Sequence, residues 1–83
     1  KLIQNKMRIL ERETNQVFTE IELFLTMDEA LELSGRLEGL IRKPKAHHIH
    51  LDSDDKELTI AIYTQDNLHD FDVRSRELIV NNR

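Results

Sequence analysis

Between His48 and Tyr63 the chain alternates apolar and polar positions with a period of two. Ile49, Leu51, Leu58, Ile60 and Ile62 fall on one face, and His48, His50, Thr59, Ala61 and Tyr63 on the other. Asp52-Ser53-Asp54-Asp55 separates the two arms with turn-forming residues, so the stretch predicts a β-hairpin with histidines on its first arm. A second alternating stretch runs from Phe18 to Leu25, with Ile21, Leu23 and Leu25 opposed to Glu20, Glu22 and Phe24. Met7 to Glu13 alternates more weakly, in a manner that a strand or a short helix would satisfy. Joined through the polar Glu13-Thr14-Asn15-Gln16, these two stretches predict a first hairpin.

At Thr26 the period changes to that of a helix. Thr26-Met27-Asp28-Glu29 has the form of a capping box, in which the threonine hydroxyl and the glutamate carboxylate each take a backbone N–H that the helix leaves free. Ala30, Leu33, Leu37, Leu40 and Ile41 then gather within about one third of the circumference as a core stripe. Glu32 with Arg36 and Glu38 with Arg42 form favourable pairs four residues apart, and Pro44 stops the helix. Gly35 and Gly39 lie away from the stripe, where each costs about 1 kcal/mol relative to alanine. Close approach by another backbone would account for them, as would simple tolerance. A second helix is expected from Asp66 or Asn67, with Leu68, Phe71, Ser75, Leu78 and Ile79 facing the core. Asp70 and Asp72 stand four residues before Arg74 and Arg76, and Asn81 and Asn82 are suitable terminators.

The order strand, strand, helix, strand, strand, helix places the chain in the α+β class. It is satisfied by one four-stranded antiparallel sheet with both helices on one face, a ββαββα chain. If the crossover skips one position, the strand order is 1-2-4-3, a permuted ferredoxin-like arrangement that carries no function with it. The histidine strand is then an edge, and the sheet face bearing Phe24, Tyr63, Ala61, Thr59, His48, His50, Glu20 and Glu22 is uncovered.

The chain has 83 residues, which suits one small domain spanning 1–83, with residues 1–6 expected to lie outside its ordered part and Met7 a candidate natural start. Charged residues make up 34% of it and apolar residues 39%, yet the apolar ones fall in periodic runs, as folding requires. A formal charge of -4 opposes attraction to nucleic acid or to anionic lipid and favours a basic protein partner. Single-stranded RNA stacked on Phe24 and Tyr63 is disfavoured for the same reason, with Glu20 and Glu22 beside them. The absence of cysteine excludes a thiol nucleophile and a disulfide framework, and fits a cytoplasmic home. No apolar run reaches the roughly 20 residues that span a bilayer.

The candidate chemistry is confined to the histidine strand. His48 and His50, two apart, project from the same face, a spacing from which two imidazoles can converge on one ion, with Zn as the expected metal and Glu22 or Glu20 as a third ligand. His69 lies on the second helix and is not expected to join them. A histidine-triad nucleotide hydrolase would need a further histidine after the His-apolar-His run. Here it reads His48-Ile49-His50-Leu51-Asp52, with no glycine-rich phosphate loop. Ser34, Ser53 and Ser75 lack the spacing of a nucleophile and its base, and Asp52, Asp54 and Asp55 lack the glycine and terminal glutamate of a calcium-binding loop. The reading is a protein-protein interaction module without enzymatic activity. It is expected to self-associate as a homodimer through the open sheet face or the edge strand, with Phe24, Tyr63, Ala61, His48, His50, Gly35 and Gly39 at the contact. Two alternatives accompany it: a metal site on His48 and His50, and an acidic inhibitor or immunity-like protein that masks a basic partner.

Overall fold

The structure, a computed structural model, describes residues 6–44 and 48–83. The expectation for the first residues, Lys6 apart, and His47 at the head of the histidine stretch lie outside them. Along the chain come β1 (Ile9–Glu11), β2 (Gln16–Phe18), α1 (Met27–Arg42), β3 (His48–Ser53), β4 (Lys56–Ala61), a 3-10 turn at Leu68–Asp70, and α2 (Val73–Asn81). The class is α+β, as the patterning predicts.

The single four-stranded sheet is not formed. β1 pairs antiparallel with β2, and β3 with β4, as two separate two-stranded sheets, so neither the 1-2-4-3 order nor the ferredoxin-like arrangement applies. The cause lies in the second strand, expected over 18–25 and observed over Gln16–Phe18. β1 offers it three partners, Ile9, Leu10 and Glu11, and beyond the Ile9–Phe18 pair the ladder has no further rung. Alternation describes which face a side chain would take in a strand, but only cross-strand partners hold the strand extended. Residues 19–26 are therefore irregular, and Ile21, Leu23 and Phe24 are exposed.

The described chain divides into two compact units, one of residues up to Glu22 together with Thr64–Arg83, the other of Leu23–Tyr63. The second is an αββ unit. Its helix begins as expected: Glu29 N–H donates to the Thr26 hydroxyl at 3.2 Å, and Thr26 N–H to the Glu29 carboxylate at 2.9 Å. Glu29 also accepts from the Ser53 hydroxyl, and that bond, ahead of the Thr26 amide, holds its carboxyl below the usual glutamate range. The cap thus ties the first turn of α1 to the far end of β3. Ser53 shares its face with Leu51 and Ile49, so α1 covers the apolar side of the hairpin.

Among the described residues of this unit Leu40 on α1 and Leu51 on β3 are buried, with Ala30, Leu33 and Leu37 of the α1 stripe half-buried. Ile41 departs from the expectation and is exposed. It lies at one edge of the stripe, about 100° round from Leu40, and in the last turn of α1. The Glu32–Arg36 and Glu38–Arg42 pairs form at 2.8 and 2.5 Å, and the Lys43 N–H closes the helix on the Gly39 carbonyl at 3.2 Å. A Cβ built on Gly35 or on Gly39 would meet no atom within 4 Å. No backbone of the chain approaches these glycines among the described residues. Gly35→Ala and Gly39→Ala are each expected to raise stability by about 0.5–1 kcal/mol through helix propensity, read as a higher urea midpoint at unchanged slope.

The first unit joins the β1–β2 hairpin to α2. Its loop is held by Glu11, whose carboxylate accepts the Thr14 and Glu13 amides at 2.7 and 3.2 Å, while Asn15 takes the left-handed conformation that asparagine tolerates, at φ 63°. Three arginines link hairpin and helix: Arg8 Nε donates to the Leu78 carbonyl at 3.1 Å, Arg12 reaches Asp72 and Ser75, and Arg74 bonds the Asn15 side chain and carbonyl. The pairing of Arg74 and Arg76 with Asp70 and Asp72 is accordingly replaced. Asp72 lies outside the helix as its N-cap, accepting from Ser75 N–H at 3.0 Å and pairing with Arg12. The Ser75 bonds, with Arg12 behind them, keep the Asp72 carboxyl below the ordinary aspartate range.

Asn67, expected as a helix cap, has a different task. It is buried, its amide donates to the Thr64 hydroxyl at 3.1 Å, and its side-chain oxygen accepts the Thr64 amide at 2.7 Å. This reciprocal bond folds the chain into the 3-10 turn before α2. Leu78 and Ile79 form the buried apolar centre of the unit, with Leu68, Phe71 and Ser75 half-buried, and Asn82 ends the helix in the left-handed conformation at φ 56°.

Candidate functional site

The outer face of the β3–β4 hairpin collects the chemistry-bearing side chains. Its register sets His48 opposite Ala61, His50 opposite Thr59 and Asp52 opposite Glu57. Because strand side chains alternate, these six share a face, and all six are exposed. The two imidazoles meet edge to face, with ring centroids 4.6 Å apart. His50 Nδ1 lies 2.9 Å from the Thr59 hydroxyl. With its proton on Nδ1, His50 donates to that oxygen and turns the Nε2 lone pair outward, the way an outer partner orients a metal-ligating histidine.

The polar run 52–55 predicts Asp52 in the turn, but it lies on β3 and brings a third donor side chain into the row His48, His50, Asp52. The signal was present in the sequence as a period of two, His-x-His-x-Asp. Opposite Asp52 stands Glu57, so two carboxylates face each other across the ladder, an arrangement that costs a few tenths of a kcal/mol and that a cation or a basic group would relieve. The turn itself is the two-residue Asp54-Asp55 link, with Asp54 at φ 56° and the Asp55 carboxyl lowered by its bond to Lys56.

The other expected site residues are dispersed. Phe24 is 85% exposed in the irregular segment before α1, not on a sheet face, and Tyr63 lies two residues beyond the end of β4. Glu20 and Glu22 likewise belong to no strand. Gly35 and Gly39 are on α1, whose covered side faces the apolar side of the hairpin rather than the histidines. Among the described residues, no three His, Asp or Glu side chains of the chain converge as metal ligands. Among the described residues His48 and His50 therefore stand as a pair, and Glu22 lies in the irregular segment that follows β2.

No family model, curated protein or solved structure matches the chain. Among the described residues no helix is long and apolar enough to cross a membrane.

Proposed function

We propose that the chain is a non-enzymatic interaction module that self-associates as a homodimer through the free edge of β3. The observation that carries this reading is the pairing of the hairpin: among the described residues β3 and β4 bond to no other strand. Each strand therefore keeps one edge of backbone donors and acceptors, and a two-stranded ribbon is only marginally stable in water. A second copy paired along one edge converts two ribbons into one four-stranded sheet. The edge of β3 suits this better than that of β4. In β3 the exposed row runs from imidazole to carboxylate, so an antiparallel copy sets histidine against aspartate, whereas Glu57 of β4 has no histidine on its own strand to face.

Sedimentation equilibrium from low to high micromolar concentration is expected to give a dimer, with hydrogen exchange of the β3 amides slowing as it forms. A strict monomer throughout the range overturns the reading.

A further inference from the structure

We infer that the β3 edge builds a divalent metal site shared between two copies, with His48 and His50 of one strand and Asp52 of the other as ligands. The inference rests on the homodimer reading and adds to it the register and the ion. A two-fold axis perpendicular to the sheet keeps each side chain on its own face only if residues of equal parity lie opposite each other. Centring the pairing on His50 meets that condition. It sets His50 against its symmetry mate, Ile49 against Leu51 of the other copy, and His48 against Asp52 of the other copy.

Directly opposed side chains in an antiparallel pair have Cβ atoms about 4.5–5.5 Å apart, and the diagonal neighbours about 7–8 Å. An imidazole and a carboxylate can close that gap on one ion at bond lengths of about 2.0–2.2 Å. The neighbouring imidazole is already close, its ring centroid 4.6 Å away on the same strand. The symmetry makes two equivalent sites, each with two nitrogens and one oxygen, the donor set of an open zinc site.

Two observations favour this pairing. His50 is oriented from behind by Thr59, leaving its outward nitrogen for a ligand. Asp52 faces Glu57 across the hairpin, so the row ends in a local excess of negative charge that the ion would neutralise.

The test is sedimentation and zinc calorimetry on the full chain, with chelator and with added Zn2+, for the natural sequence, Asp52→Asn and His48→Ala. The expected result is one Zn2+ bound per chain, a dimer strengthened by the ion, and loss of both effects in either variant. Far-UV circular dichroism should be unchanged, because both side chains are exposed. A dimer that persists in chelator and binds no zinc overturns the shared site while leaving the homodimer reading in place; a monomer under every condition overturns both. Zinc bound by a monomer, or bound undiminished by Asp52→Asn, also overturns the shared site.

Discussion

Leu40→Ala should reduce stability by about 2–5 kcal/mol. Leu40 is the most deeply buried side chain described, at 2% exposure, and with Leu51 it forms the buried apolar centre of the αββ unit among the described residues. Truncation removes the branch-point carbon and both methyl groups from packed surroundings. The neighbours that could collapse into the space, Leu33 and Leu37, are anchored on the same rigid helix. For 83 residues the whole stability is about 4–12 kcal/mol, so this one change takes a large part of it. Urea unfolding should show a lower midpoint, and the amides of β3 and β4 should lose exchange protection first. A loss below about 0.5 kcal/mol would mean that α1 does not seal the hairpin.

Leu78→Ala is expected to act with similar force in the other unit, at about 2–5 kcal/mol. Leu78 and Ile79 are adjacent on α2 and are the buried apolar pair of that unit. The backbone of Leu78 accepts both the Arg8 guanidinium and the Asn82 amide, at 3.1 and 2.8 Å. Alanine retains the carbonyl, so those bonds survive and the loss reports packing alone. Arg8→Ala serves as the control. It removes the guanidinium bond and keeps the side chain of Leu78, and it should cost about 1 kcal/mol. If Arg8→Ala proves the more damaging of the two, the arginine bridges rather than the leucine hold the hairpin to the helix.

The features legible in the sequence were those specified by residues close together along the chain. The capping box at Thr26 and Glu29 and the stop at Pro44 bracket α1 with no need of tertiary information. The β3–β4 hairpin follows in the same way, since two alternating arms flank a polar turn and the register is set by the turn. The strand after Phe18 failed because its alternation is a statement about faces, while its existence depends on β1, which supplies three rungs. The spacing pairs Asp72 with Arg76, whereas it caps α2 and bonds Ser75 and Arg12, and Arg12 is 60 residues away along the chain, beyond the reach of a local pattern. At the site, His48 and His50 were visible from their spacing. Asp52 was not, because aspartate reads as turn unless the strand is known to run on to Ser53.

The Thr64–Asn67 bond stands where the chain leaves one compact unit and re-enters the other. The unit it re-enters is assembled from both ends of the described chain, with bonds such as Arg8 to Leu78 closing a separation of 70 residues. The αββ unit, by contrast, is one continuous segment nested inside it. On a ribosome the nested segment is complete while the first hairpin still waits for α2, and local closures are entropically the less costly. Once ordered, the segment Leu23–Tyr63 no longer behaves as a freely moving chain. It shortens the effective loop between β2 and Thr64, so that folding of the interior lowers the entropic cost of bringing the termini together.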